Sequence, residues 1–136
     1  MSHTAATLPR PTRALIVDDD DDVRVLVHLI IDMADNGIEV VAEASSAAEG
    51  LDRWREERPE VIVLDDQMPG GTGLAMAEAI FAECPSQRVI LFSASLDERT
   101  VTRAEGLGVY ACLAKDRVAE LPDVILASAP APASAA

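Results

Sequence analysis

Short runs of consecutive apolar residues alternate along the chain with stretches whose apolar positions recur every three or four residues. Ala14, Leu15, Ile16 and Val17 form the first run, which stops at Asp18. Val23, Leu26, Leu29, Ile30 and Met33 come next at helical spacing and define one face of a first helix, closed by the C-cap signal Asn36-Gly37. Ile38, Glu39, Val40, Val41 and Ala42 read as a second strand. Ala47, Leu51 and Trp54 share the buried face of a second helix with Ser45 or Ser46 as N-cap, and Pro59 ends that unit. Val61, Ile62, Val63 and Leu64 make the third strand. Leu74, Ala77 and Phe81 mark a third helix that Pro85 stops, and Val89, Ile90, Leu91 and Phe92 the fourth strand. Residues 97–104 read as a short fourth helix closed by Gly106 and Gly108, residues 109–113 as a fifth strand, and Val118, Leu121 and Ile125 as a last helical piece.

This alternation predicts an α/β fold built from βαβ units around a mostly parallel sheet. Near-continuous apolar strands agree, because a central parallel strand is covered on both faces. Right-handed crossovers then put helices on both sides. The folded body is expected over residues 13–126. Residues 1–12, with two prolines, and the Pro/Ala/Ser segment 127–136 read as flexible tails.

Composition narrows the function classes. Hydrophobic residues make up 49% and aromatics only 3%, so the core must be largely Val, Leu, Ile and Ala. The formal net charge of −13 repels phosphate backbones, which argues against direct nucleic-acid binding and suits a divalent cation or a basic protein surface. Cys84 and Cys112 lack the spacing of a zinc site and read as free thiols in a reducing compartment. No apolar run reaches signal-peptide length at the N-terminus or the roughly 20 residues of a membrane span, so the expected location is cytoplasmic, away from membranes.

The candidate chemistry sits at the strand ends. The first strand ends in Asp18-Asp19, the third in Asp65, the fourth in Ser93 and the fifth in Lys115. Ligands of open α/β sheets bind outside the carboxyl ends of the strands, so these side chains are expected at one rim. Three neighbouring carboxylates repel one another, a conflict that a hard cation such as Mg²⁺ resolves by taking oxygen ligands. A carboxylate can also act as nucleophile and form an aspartyl-phosphate, whose charge an ammonium, a hydroxyl and Mg²⁺ stabilise.

The segments LIVDDDDDVR, VIVLDDQMPGGTGL, ILFSAS and CLAK, in that order, resemble the response-regulator receiver family over nearly the whole folded length. The resemblance implies a doubly wound, flavodoxin-like (βα)5 fold with strand order 2-1-3-4-5. It implies a phosphoacceptor in a two-component system, loaded by a partner histidine kinase or phosphotransfer protein and signalling to a further protein. Asp65 begins the pattern Asp65-Asp66-Gln67-Met68-Pro69 and takes the acceptor role. Asp19 becomes the direct metal ligand with Asp18 beside it, Gln67 offers its main-chain carbonyl, Ser93 holds the Ser/Thr switch position and Lys115 pairs with the phosphate. No turnover is implied beyond self-phosphorylation and slow self-dephosphorylation of Asp65. With no effector segment read after residue 126, a stand-alone receiver is the expectation, while the Pro/Ala/Ser tail equally suits a linker to a further domain.

Other features carry plainer readings. Asp20, Asp21 and Asp22 fit a solvated helix start, Asp66 has no catalytic role, and His28 is a solvated or packed imidazole. Gly70, Gly71 and Gly73 lack the Lys-Ser/Thr of a P-loop and read as a flexible loop. Three positions depart from the family: Cys112 stands where many receivers have an aromatic, Asp116 where many have proline, and Pro122 falls in the last helix, which should kink or begin late, near it. Two rivals are a receiver-shaped interaction module that works without phosphate, and a haloacid-dehalogenase-type phosphatase opening at Asp19-Asp20-Asp21-Asp22-Val23. The second lacks a paired acidic motif after the lysine strand.

Overall fold

The computed structural model describes residues 10–34 and 37–128; the proposed tails therefore lie largely outside the described residues. Five strands form one parallel sheet: β1 (Thr12–Val17), β2 (Ile38–Ala44), β3 (Val61–Leu64), β4 (Arg88–Ser93) and β5 (Ala111–Ala114). Their order is β2-β1-β3-β4-β5, the doubly wound order that the family resemblance implies. Helices α1 (Asp21–Ala34), α2 (Ala47–Glu57), α3 (Gly73–Glu83), α4 (Glu98–Leu107) and α5 (Leu121–Ser128) cover both faces. A two-residue ribbon, Gln67–Met68 against Gly71–Thr72, closes the turn after β3.

The strands are apolar at successive positions because each face packs on helices. Leu15, Val17, Ile62, Leu64, Val89 and Leu91 lie with Trp54, Met76 and Ile80 on the α2–α3–α4 side. Ile16, Val61, Val63, Ile90 and Phe92 lie with Val27, Ile31, Leu121 and Ile125 on the α1–α5 side. The helices start where side chains satisfy free backbone N–H groups: Ser46 Oγ accepts from Glu49 N (3.1 Å), Thr72 Oγ1 from Ala75 N (3.1 Å) and Asp97 Oδ1 from Thr100 N (2.8 Å). Trp54, the one tryptophan, is buried and donates from Nε1 to Gln87 Oε1 at 2.9 Å. No helix among the described residues is long and apolar enough to cross a membrane.

Three local expectations need correction. In α1 the packed residues are Val27 and Ile31, joined by half-buried Val23, whereas Leu26, Leu29 and Met33 face outward, the last two at 53% and 73% exposure. Apolar residues surround this helix, so spacing alone does not set its phase. Helix α4 runs through Gly106 and ends at Gly108, whose φ of +104° forms the left-handed cap. β5 starts at Ala111, later than position 109. Pro122 behaves as expected: Lys115–Glu120 is a 3₁₀ segment, and α5 begins at Leu121 with the proline in its first turn. The Asn36 part of the first C-cap signal lies outside the described residues, and Gly37 adopts a φ of +83°.

Candidate functional site

Sheet register brings the strand ends level. Val17 pairs with Ala44 and with Leu64, and Leu64 pairs with Leu91. The next peptides continue the ladder: Asp18 N donates to Ala44 O (3.0 Å) and Asp65 N to Val17 O (2.9 Å). Asp18 and Asp65 therefore leave adjacent strands at the same height. Both are buried, while Asp19, one residue further, is exposed. One carboxylate oxygen from each of Asp18, Asp19 and Asp65 lies within 4.8 Å of the others. Lys115, at the end of β5, reaches across with Nζ 2.7 Å from Asp18 Oδ2 and 3.5 Å from Asp65 Oδ1.

This crowding shifts both kinds of charge. Burial and then the Asp18 carboxylate push the Asp65 carboxyl up to about 6, against the pull of Lys115 and the Gln67 N–H. Burial alone would lower the Lys115 ammonium, but Asp18 and then Asp65 outweigh it and hold the group above its ordinary value. The buried Asp18 Oδ2 is the oxygen that Lys115 Nζ meets at 2.7 Å. An all-oxygen donor set of three clustered carboxylates with one ammonium keeps an excess of negative charge and fits a hard dication such as Mg²⁺.

Of the remaining sequence-predicted residues, Gln67 touches Asp65 through its N–H, 3.4 Å from Oδ1. Ser93 is buried at the same edge, but its hydroxyl is tied to the Ser95 main chain, accepting from the N–H at 3.2 Å. Asp20 caps α1, accepting from Asp22 N at 2.9 Å, in line with a structural reading of the acidic run. Asp66 accepts from Leu74 N at 3.3 Å and stays outside the carboxylate cluster. An open cleft of about 720 Å³ beside it is lined by Asp66, Leu74, Asp97, Arg99 and Arg103 among others, and not by the clustered carboxylates or Lys115.

Two residues escaped the sequence reading. Gly73 is not part of a flexible loop: a Cβ there would overlap the Asp65 carbonyl oxygen and sit 2.9 Å from the carbonyl carbon, so the start of α3 packs directly on the Asp65 main chain. Its N–H donates to Asp66 O at 2.8 Å. Arg24 reaches back from α1 to the Asp18 carbonyl. The available signal was its place at the end of the acidic run, one turn into the helix.

The family model described as response regulator receiver domain matches residues 14–126. The chain is 35% identical over 112 residues to the chemotaxis protein CheY of Listeria monocytogenes, covering 79% of this chain and 92% of that protein. It is 34% identical over 119 residues to a protein-glutamate methylesterase/protein-glutamine glutaminase of Anaeromyxobacter dehalogenans, covering 87% of this chain but only 33% of that longer protein. Several other curated relatives are likewise spanned over a quarter to a half of their length. Among solved structures, the receiver domain of the putative response regulator NarL from Mycobacterium tuberculosis superposes with a TM-score of 0.80 at 30% identity, covering 88% of this chain and 96% of that one.

Proposed function

Because the chain belongs to the response regulator receiver domain family, we propose that Asp65 takes a phosphoryl group from a histidine kinase or phosphotransfer protein and that the chain signals onward through a protein contact. One observation supports this reading above the others: three carboxylates from two adjacent strand ends converge within 4.8 Å, with an ammonium between Asp18 and Asp65. No other substrate enters the reading, and the chemistry is confined to the acceptor's own phosphorylation and hydrolysis.

In the forward step an Asp65 carboxylate oxygen attacks phosphorus. The bond from phosphorus to the donor imidazole breaks as the new P–O bond forms, and the imidazole leaves with the electron pair and gains a proton. With its carboxyl at about 6, Asp65 is mostly ionised at neutral pH and so available as nucleophile. Asp19, Asp65 and the Gln67 carbonyl would hold Mg²⁺, with Asp18 beside them, and the ion supplies charge neutralisation for the carboxylates and the transferring group. Lys115 stands where an ammonium can leave Asp18 and pair with a phosphoryl oxygen. Ser93 must exchange its Ser95 partner for that oxygen to take the family's switch role.

Incubation with a small phosphodonor tests the reading. Wild type should incorporate one phosphoryl group in the presence of Mg²⁺ and none with a chelator, and Asp65→Asn none at all. Equal incorporation by wild type and Asp65→Asn would contradict it.

A further inference from the structure

We propose that Arg24 is a positioning residue for the cation-binding carboxylates, acting through the main chain between Asp18 and Asp19; this rests on the proposed Mg²⁺ site at the strand ends. The Asp19 carboxylate is exposed and, among the described residues, receives no hydrogen bond or ion pair. Its direction is therefore set by the backbone that carries it. Asp18 lies just past the end of β1, where its carbonyl has no strand partner and accepts instead from Arg24 Nη1. The peptide linking Asp18 to Asp19 is planar and stiff, so fixing that carbonyl fixes where the Asp19 backbone departs. On the other side, Asp20 N donates to Asp18 Oδ1 at 2.9 Å, which tightens the same turn.

Arg24 is itself held by two carboxylates, one on its own helix and one on β2. Its Nη2 pairs with Asp21 in the first turn of α1, and its Nε donates to Glu43 Oε1 on β2 at 3.1 Å. Glu43 Oε2 in turn pairs with His28 Nε2. A planar guanidinium can span three acceptors in fixed directions, which an ammonium cannot. The two carboxylates also compensate its charge, so a cation placed near the acidic rim does not drive off a dication. The side chain is only 15% exposed, in keeping with a fixed brace rather than a surface charge.

The sign of the effect separates positioning from charge. If Arg24 acted only as a nearby positive charge, its removal would strengthen Mg²⁺ binding. Positioning requires the opposite. Calorimetric titration of the full chain with Mg²⁺ should show Arg24→Ala weakened by roughly 10-fold or more, the usual effect of losing a group that orients a metal ligand. Arg24→Lys, which keeps the charge and loses the fork, should also bind more weakly than wild type. Arg55→Ala, which removes a cation from the exposed pair with Glu83, is the charge-matched control and should bind as wild type does. Thermal melts recorded in parallel identify a purely structural role, in which stability falls and affinity holds. The proposal is overturned if Arg24→Ala binds Mg²⁺ as tightly as wild type or more tightly, or if Arg24→Lys matches wild type; Arg24→Lys decides the matter if the alanine variant does not fold. A wild-type chain that binds no Mg²⁺ removes the site reading as well, whereas normal wild-type binding with an unaffected variant removes this inference alone.

Discussion

Lys115 stands closer to Asp18 than to Asp65, with Nζ 2.7 Å from the first carboxylate and 3.5 Å from the second. The ammonium thus compensates the two buried acids together while standing nearer to Asp18. Lys115→Ala should leave Asp18 and Asp65 facing each other without a cation. The expected cost is roughly 1–3 kcal/mol of stability at neutral pH, the usual penalty for stranding a buried polar group. Urea unfolding should show that loss, and Mg²⁺ should restore more stability to the variant than to wild type.

Asp65 makes stability depend on pH in an unusual direction. Its carboxyl is raised from 3.8 to about 6 in the folded chain, chiefly by burial and by Asp18. The folded state holds this proton more tightly than the unfolded one, so the group's stabilising contribution is complete below about pH 4 and lost as pH rises through about 6. At pH 8 in chelator the ionised group costs on the order of 3 kcal/mol. Asp65→Asn should therefore be more stable than wild type at pH 8, with the difference shrinking toward pH 4. Denaturation curves across that range check both the sign and the window.

Gly73→Ala drives a Cβ into the Asp65 carbonyl, onto its oxygen and 2.9 Å from its carbon. The start of α3 and the end of β3 must then separate. Overpacking of this kind costs about 1–3 kcal/mol. The shift falls on the main chain of Asp65, the proposed acceptor, so phosphoryl incorporation should slow as well. Ala75→Gly, on the exposed side of the same helix, serves as the comparison and should leave incorporation unchanged.

The phase of α1 is open to an equally simple test. Ile31→Ala should cost about 2–5 kcal/mol as a buried truncation. Leu29→Ala and Met33→Ala, on the outward face, should stay within about 0.5 kcal/mol of wild type. Chemical denaturation of the three variants distinguishes the two faces.

These contrasts also mark what the sequence made legible. Strands were readable because four central apolar residues in a row, as in Val61, Ile62, Val63 and Leu64, need cover on both faces, and each run stops where the chain leaves the sheet. Asp18, Asp65, Ser93 and Lys115 could be assigned to one rim because polarity changes abruptly at those stops. The phase of α1 was hidden because Val25, Leu26, Val27, Leu29, Ile30 and Ile31 offer an apolar residue in nearly every direction. Gly73 and Arg24 were hidden for another reason. A close approach between main chains and a contact to a carbonyl leave no periodic trace in the sequence. Ser93 was located correctly at the edge, yet its present partner, the Ser95 main chain, is a local turn contact that only coordinates reveal.

The most direct measurement is to find which side chain carries the phosphoryl group. The wild-type chain, loaded by a small phosphodonor with Mg²⁺, should yield one modified peptide by mass spectrometry, with fragment ions placing the added mass on Asp65. A phosphoryl group on Asp18, Asp19 or any residue outside the rim, or one formed equally well in chelator, would contradict the account.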